Sequence, residues 1–160
     1  MFGSKVNVKT AMKKIILILL ITLGITKAEA QTPVTWNFTS TKVDNKTYEL
    51  HLTAVLQSGW HLFSQTQPDD AIAVPTGIKF NTNPLLKLDG KIAEVGNLEK
   101  FKDNKLGISA HQYSKKVDFV QIIKLKASAK TNISGSVEYQ TCDDKKCLPP
   151  KTVNFTVAIN

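Results

Sequence analysis

The sequence has no arginine; all 21 of its basic residues are lysines. Arginine supplies most of the paired hydrogen bonds by which proteins read phosphates and base edges. The lysines are scattered and interleaved with acids, the pattern of a solvated surface, so no nucleic-acid partner is expected. Cysteine is scarce as well: Cys142 and Cys147 are the only two in 160 residues. No stretch keeps an apolar period of 3.6, which argues against amphipathic helices. No Ser-His-Asp or paired-carboxylate arrangement is supported by spacing. Beyond residue 30 no run is long and apolar enough to cross a bilayer, so no stable membrane insertion is expected of that part.

The one sizeable apolar run covers residues 15–25 and is short for a bilayer span. Lys5, Lys9, Lys13 and Lys14 precede it, and Ala28, Glu29 and Ala30 follow with small-x-small spacing. Together they predict a cleaved signal peptide over 1–30 and a mature chain from Gln31; the competing reading is an uncleaved anchor. Met12 offers a more usual opening than Met1. The leader also explains half of the net charge of +8. Residues 1–30 hold five lysines and one glutamate, and the other 16 lysines face 12 acids, so each part carries +4. An exported, soluble protein is expected, in a compartment where disulfides form.

What the mature part does have is alternation at period two. Residues 34–40, 48–56, 116–127, 133–140 and 151–159 place apolar or aromatic side chains at every second position, as half-buried strands do. Shorter candidates are 60–63, 77–80 and 85–90. Turn-forming stretches such as QPDD, NTNP and DNKLG separate them. Seven to nine short strands in about 130 residues predict an all-β fold, an antiparallel sandwich with an immunoglobulin-like layout. Residues 93–112 resist this reading; weak periodicity and many polar residues predict a long loop with one short strand or helical turn.

The cysteines lie in YQTCDDKKCLPP, residues 139–150, at a corner between two predicted strands. A structural staple explains them weakly, because closing about six residues removes only roughly 2 kcal/mol of unfolded-state entropy. Structural zinc wants four ligands. His51, His61 and His111 could complete that number, but nothing in the sequence brings them near, so no metal is expected; copper(I), content with few soft ligands, is harder to exclude. A redox pair is the third reading. It needs two thiols close enough to bridge and one with raised thiolate character. Asp143 disfavours a thiolate at Cys142, whereas Lys146 favours one at Cys147. Charge alone therefore marks Cys147 as the more reactive thiol. Pro149 and Pro150 stiffen the exit and remove two backbone donors.

This stretch resembles the active-site segment of the N-terminal periplasmic domain of DsbD, a bacterial thiol:disulfide interchange protein. Tyr139, Gln140, Cys142, Cys147, Pro149 and Pro150 match that pattern. GWHLFSQ (59–65) and VDFVQIIKLKA (117–127) resemble further stretches of the family, and the resemblance covers roughly residues 33–159. It implies an immunoglobulin-like sandwich that takes reducing equivalents from a membrane-embedded thiol reductant and passes them to thioredoxin-like periplasmic proteins, without a cofactor. It implies that Cys147 forms the mixed disulfide with partners and Cys142 resolves it. It also implies a cap loop over the disulfide, placed by position at 100–107, with Phe101 the first candidate for the covering side chain and Leu106 the second. The spacer DDKK is shorter than in the best-known members. The sequence ends soon after the last strand, so a stand-alone module that needs a separate electron donor is expected. The alternative is a non-catalytic secreted sandwich that binds a protein, a glycan or copper, with a permanent disulfide. Trp36, Trp60 and Tyr113 would then line a binding face unless they fill the core.

Overall fold

The computed structural model describes residues 32–160. The leader assigned to residues 1–30 lies outside the described residues. Nine strands follow in order: β1 (Val34–Lys42), β2 (Thr47–Leu56), β3 (His61–Phe63), β4 (Gly77–Phe80), β5 (Leu86–Asp103), β6 (Ile108–Leu125), β7 (Thr131–Tyr139), β8 (Thr141–Cys142) and β9 (Lys151–Ile159). All the pairings are antiparallel.

The larger sheet is organised by β6. Along one edge β6 pairs with β5 from Ile108 to Leu125. Its other edge is shared: residues 116–124 pair with β2, which continues to β1, and residues 112–114 pair with β3, which continues to β8. Lys115 stands at the changeover and takes a left-handed conformation, φ 68°. The smaller sheet is β4-β7-β9. The two inner faces meet in one core, where Phe119, Leu50, Leu52, Leu62, Ile123 and Ile133 are fully buried or nearly so. Each such side chain contributes about 1.5–3 kcal/mol by leaving water. Aromatic pairs bind the sheets to each other: Trp36 packs on Tyr139 with ring centres 5.4 Å apart, and Phe38 on Phe155 at 5.3 Å. Trp36 and Trp60 are half-buried and pack against the core, and Tyr113 lies within it, so the three aromatics serve the sandwich. This is the expected immunoglobulin-like sandwich.

Three sharp turns share one chemistry. Asp44, Asp103 and Asp143 each accept hydrogen bonds from the backbone N–H groups two and three residues on, at 2.8–3.1 Å. An aspartate that closes its own turn in this way fixes a hairpin locally. One glycine is demanded by packing. A Cβ on Gly135 would stand 2.1 Å from the Lys79 carbonyl oxygen and 2.7 Å from the Phe155 ring, so β4 can lie beside β7 only because that side chain is absent.

Residues 93–112 are not the expected loop. They are the distal halves of β5 and β6, joined by a short turn. Alternation is weak there because β5 is an edge strand with lysines at 91, 100 and 102 and much of it is exposed. The pairing also shifts register between Asp89 and Ala93 and between Gly96 and Leu98. Each shift breaks the period of two on which a strand is recognised.

Candidate functional site

The site arises from an excursion in the smaller sheet. Strand β7 pairs with β9 up to Tyr139 opposite Lys151. Residues 140–150 leave that sheet between these two positions. Thr141 and Cys142 cross to the larger sheet and pair with Leu62 and His61 of β3. The chain then turns over DDKK and returns, so that Cys147 lies opposite Cys142 and the Leu148 N–H donates to the Thr141 carbonyl at 2.9 Å.

The turn is closed by Asp143. Its carboxylate accepts from the N–H groups of Lys145 and Lys146, both at 2.8 Å, and its own N–H donates to the Lys146 carbonyl at 2.9 Å. The hydrogen bond from Lys145, then that from Lys146, holds the Asp143 carboxyl below its usual range. The hairpin brings the two Cα atoms of the cysteines to 4.0 Å, and the sulfurs form a disulfide. The two ends of this bond differ in access. Cys142 is 6 % exposed, whereas Cys147 is exposed on the surface beside Lys146.

Cys142 is covered by the segment between β3 and β4, residues 64–76. Ala73 of this segment packs on a small cluster of Phe63, Ala110 and Cys142. Its hydrogen bonds pin it to β6 and β3. The Gln67 side chain donates to the His111 carbonyl at 2.7 Å and accepts the His111 N–H at 3.0 Å, and the Thr76 hydroxyl donates to the Phe63 carbonyl. Gln140 ties the segment to the cysteine hairpin. Its side-chain oxygen accepts the Val74 N–H at 3.0 Å and its side-chain nitrogen donates to the Leu148 carbonyl at 3.1 Å.

The start of the segment is anchored by Glu94 of β5. One carboxylate oxygen accepts the Gln65 N–H at 2.7 Å and the other accepts the Tyr113 hydroxyl at 2.7 Å. Burial, then the hydrogen bond to Glu94 and its charge, pushes the Tyr113 phenol well above its usual pKa.

Of the residues singled out by sequence, Tyr139 is in the core, 5 % exposed, with its phenol pushed upward by burial. Gln140 joins two parts of the site. Pro149 and Pro150 are exposed and lead directly into β9. Phe101 lies opposite Ala110, in the last part of the β5–β6 pairing. Directly paired residues face the same side of a sheet, so Phe101 stands on the face where Ala110 meets Cys142. It is 46 % exposed. Leu106 sits in the turn at the tip, 71 % exposed.

Two contributors escaped sequence reading. One is the 64–76 segment, whose turn residues gave no sign of what they cover. The other is His61, which is opposite Cys142 in the ladder. Its stretch, WHLF (60–63), was legible as a short strand, but its neighbour across the sheet was not. His51 and His111 lie elsewhere: His51 bonds Asp118 at 2.8 Å, and the His111 ring meets the Thr66 carbonyl at 3.1 Å. Among the described residues, no group of three or more histidines, cysteines and acids is gathered where a metal ion could sit.

The sequence matches the family model "Thiol:disulfide interchange protein DsbD, N-terminal" over residues 27–159. No curated protein matches it. Among solved structures, the chain is similar to the N-terminal periplasmic domain of ScsB from Proteus mirabilis, with a TM-score of 0.56 and 16 % identity over 85 % of this chain and 49 % of that one. It thus spans about half of the ScsB chain. It is similar also to the DsbD N-terminal domain of Neisseria meningitidis in the reduced form, with a TM-score of 0.52 and 14 % identity over 84 % of this chain and 95 % of that one.

Proposed function

The chain belongs to the DsbD N-terminal domain family, and from that premise we propose that it is a periplasmic thiol–disulfide exchange module working through Cys142 and Cys147. The observation that carries this reading is the unequal exposure of the two cysteines: Cys142 is buried and Cys147 is exposed. A structural bridge has no need of this asymmetry. An exchanging pair needs one sulfur that another protein can reach and a second that only its own neighbour can reach.

The assigned roles follow. Reduced Cys147 attacks a disulfide of a partner and forms the mixed disulfide. Cys142, shielded by Ala73 and Phe63, resolves it. The module returns to the dithiol state by exchange with a membrane-embedded reductant, and thioredoxin-like proteins are its clients. Each is a class of protein that presents a thiol or disulfide to an exposed edge. Export by a leader over 1–30 and location in the periplasm belong to the same reading. Phe101 is the side chain best placed to cap the site, because it faces the side of the sheet on which Cys142 lies.

The test is the reduction potential of the pair, by equilibration with glutathione and counting of thiols. A value of roughly −180 to −270 mV fits a protein that exchanges disulfides. A value below about −300 mV marks an inert bridge and would transfer the lead to a binding module with a permanent disulfide.

A further inference from the structure

We propose that His61 takes and returns the proton of the Cys142 thiol during exchange, an inference that rests on the exchange reading above. Four observations converge on this side chain. His61 and Cys142 are direct partners in the β3–β8 ladder, so their side chains share a face with Cβ atoms about 5 Å apart. The His61 ring is oriented by a relay: Ser114 donates its hydroxyl to Glu99 at 2.9 Å, and His61 Nδ1 lies 2.9 Å from the same hydroxyl oxygen. With its proton given to Glu99, the hydroxyl accepts from Nδ1–H. The proton of the neutral imidazole is thereby fixed on Nδ1, and the lone pair is left on Nε2. Nε2 in turn lies 3.6 Å from the Asp144 carboxylate on the exposed turn. Finally, Cys142 is 6 % exposed. A thiol in apolar surroundings resists ionisation, so the buried sulfur is the one that benefits from a base.

The other charged groups around His61 are few. On the turn they are Asp143 and Asp144 with Lys145 and Lys146, on β5 Glu99 acting through Ser114, and on β6 Lys115 and Lys116 close after Ser114. Asp144 is 91 % exposed, so it also opens a route by which the proton reaches solvent.

The step balances as follows. In the mixed disulfide, Cys147 Sγ is bonded to the partner's sulfur. His61 Nε2 accepts the proton from Cys142 Sγ–H. The thiolate pair forms the Cys142–Cys147 bond, the bond from Cys147 to the partner breaks, and its electron pair leaves on the partner's sulfur. The dithiol loses two electrons and the partner's disulfide gains them. In the reverse direction His61 reprotonates Cys142 as the bond opens.

The experiment mixes the reduced protein with one equivalent of 5,5′-dithiobis(2-nitrobenzoate) in a stopped-flow instrument at pH values from 5 to 9. The first release of coloured thiolate reports attack by Cys147, and the second reports closure by Cys142. We expect His61→Gln to slow closure about tenfold near neutral pH and to change how closure depends on pH, while the first release stays within about twofold. Ser114→Ala keeps the imidazole but frees its tautomer. It should slow closure by a smaller factor, and it serves where His61→Gln does not fold. Closure with unchanged rate and pH profile in these variants overturns the role of His61 and leaves the exchange reading standing. Failure of the wild-type protein to release a second equivalent overturns both.

Discussion

The backbone N–H of Val74 donates to the side-chain oxygen of Gln140 at 3.0 Å, and through this bond the segment over Cys142 is fastened to the hairpin that carries both cysteines. The other end of the same amide holds the Leu148 carbonyl at 3.1 Å. One side chain thus bridges the entry to the excursion, its exit and its cover. Each bond of this kind contributes about 1 kcal/mol. Gln140→Ala should therefore raise the rate at which dithiothreitol reduces the disulfide by about fivefold to thirtyfold, through easier local opening. Gln140→Glu keeps the acceptor for Val74 and loses the donor to Leu148, so it should fall between. An unchanged rate in both would mean that the cover moves independently of Gln140.

The unequal exposure of the two cysteines predicts different outcomes for the two serine variants. Cys142→Ser should trap a mixed disulfide with a protein or small-molecule disulfide, because the exposed Cys147 still attacks and nothing resolves the product. Cys147→Ser should trap little, because the remaining thiol lies beneath Ala73 and Phe63. Non-reducing electrophoresis after incubation with an oxidised thioredoxin-like partner reads both. Equal trapping by the two variants would contradict the roles.

Phe101 faces the side of the sheet where Ala110 packs on Cys142, whereas Leu106 projects from the tip of the hairpin. Phe101→Ala should speed reduction of the disulfide by dithiothreitol several-fold, and Leu106→Ala should leave it within about twofold. The fold should tolerate both changes, because both side chains are exposed and exposed substitutions away from special features usually cost less than about 0.5 kcal/mol. If only Leu106→Ala accelerates the reaction, the cap belongs to the tip.

Much of this was legible in the sequence. The sandwich followed from alternation, which is strong wherever a strand has one buried face, as in Leu50, Leu52 and Ala54 of β2. Spacing left the cysteine pair open between a staple, a metal clip and a redox couple; the flanking charges marked Cys147 as the more reactive thiol, and the family resemblance selected the redox couple. Residues 93–112 were misread because a strand that projects beyond the core has little reason to alternate. Phe101, Lys102 and Lys100 are all exposed, and a lysine-rich edge strand looks like a loop. The cover over Cys142 was illegible for another reason. Ala73 and Gln67 acquire their meaning from contacts with residues about 40 to 70 positions away, and no local pattern encodes such a pairing. His61 was visible as a residue and invisible as a neighbour of Cys142, since the ladder that joins them exists only because the chain leaves the smaller sheet at Gln140.

The bond between Tyr113 and Glu94 makes a prediction about alkaline pH. Tyr113 is 2 % exposed and its hydroxyl donates to a carboxylate at 2.7 Å. Burial is the larger cause and Glu94 the second, and both raise the phenol pKa in the folded state. The unfolded tyrosine ionises near pH 10. Below that pH both states hold the proton and the stabilisation is fully present. As pH rises past 10 the unfolded chain releases its proton and the folded chain does not, so the unfolded state gains and stability falls. Tyr139 is raised in the same direction by burial, but it is common to wild type and variant and cancels in a comparison. Tyr113→Phe should therefore be less stable than wild type at neutral pH by about 1–3 kcal/mol, the worth of a hydrogen bond to a charged acceptor, and the gap should narrow from about pH 10 upward. Urea unfolding at pH 7, 9, 10 and 11 measures it. A gap that stays constant through pH 11 would show that the Tyr113 proton is lost as readily in the folded state as in the unfolded one. The hold of Glu94 on the segment over the cysteines would then rest on its bonds to Gln65 alone.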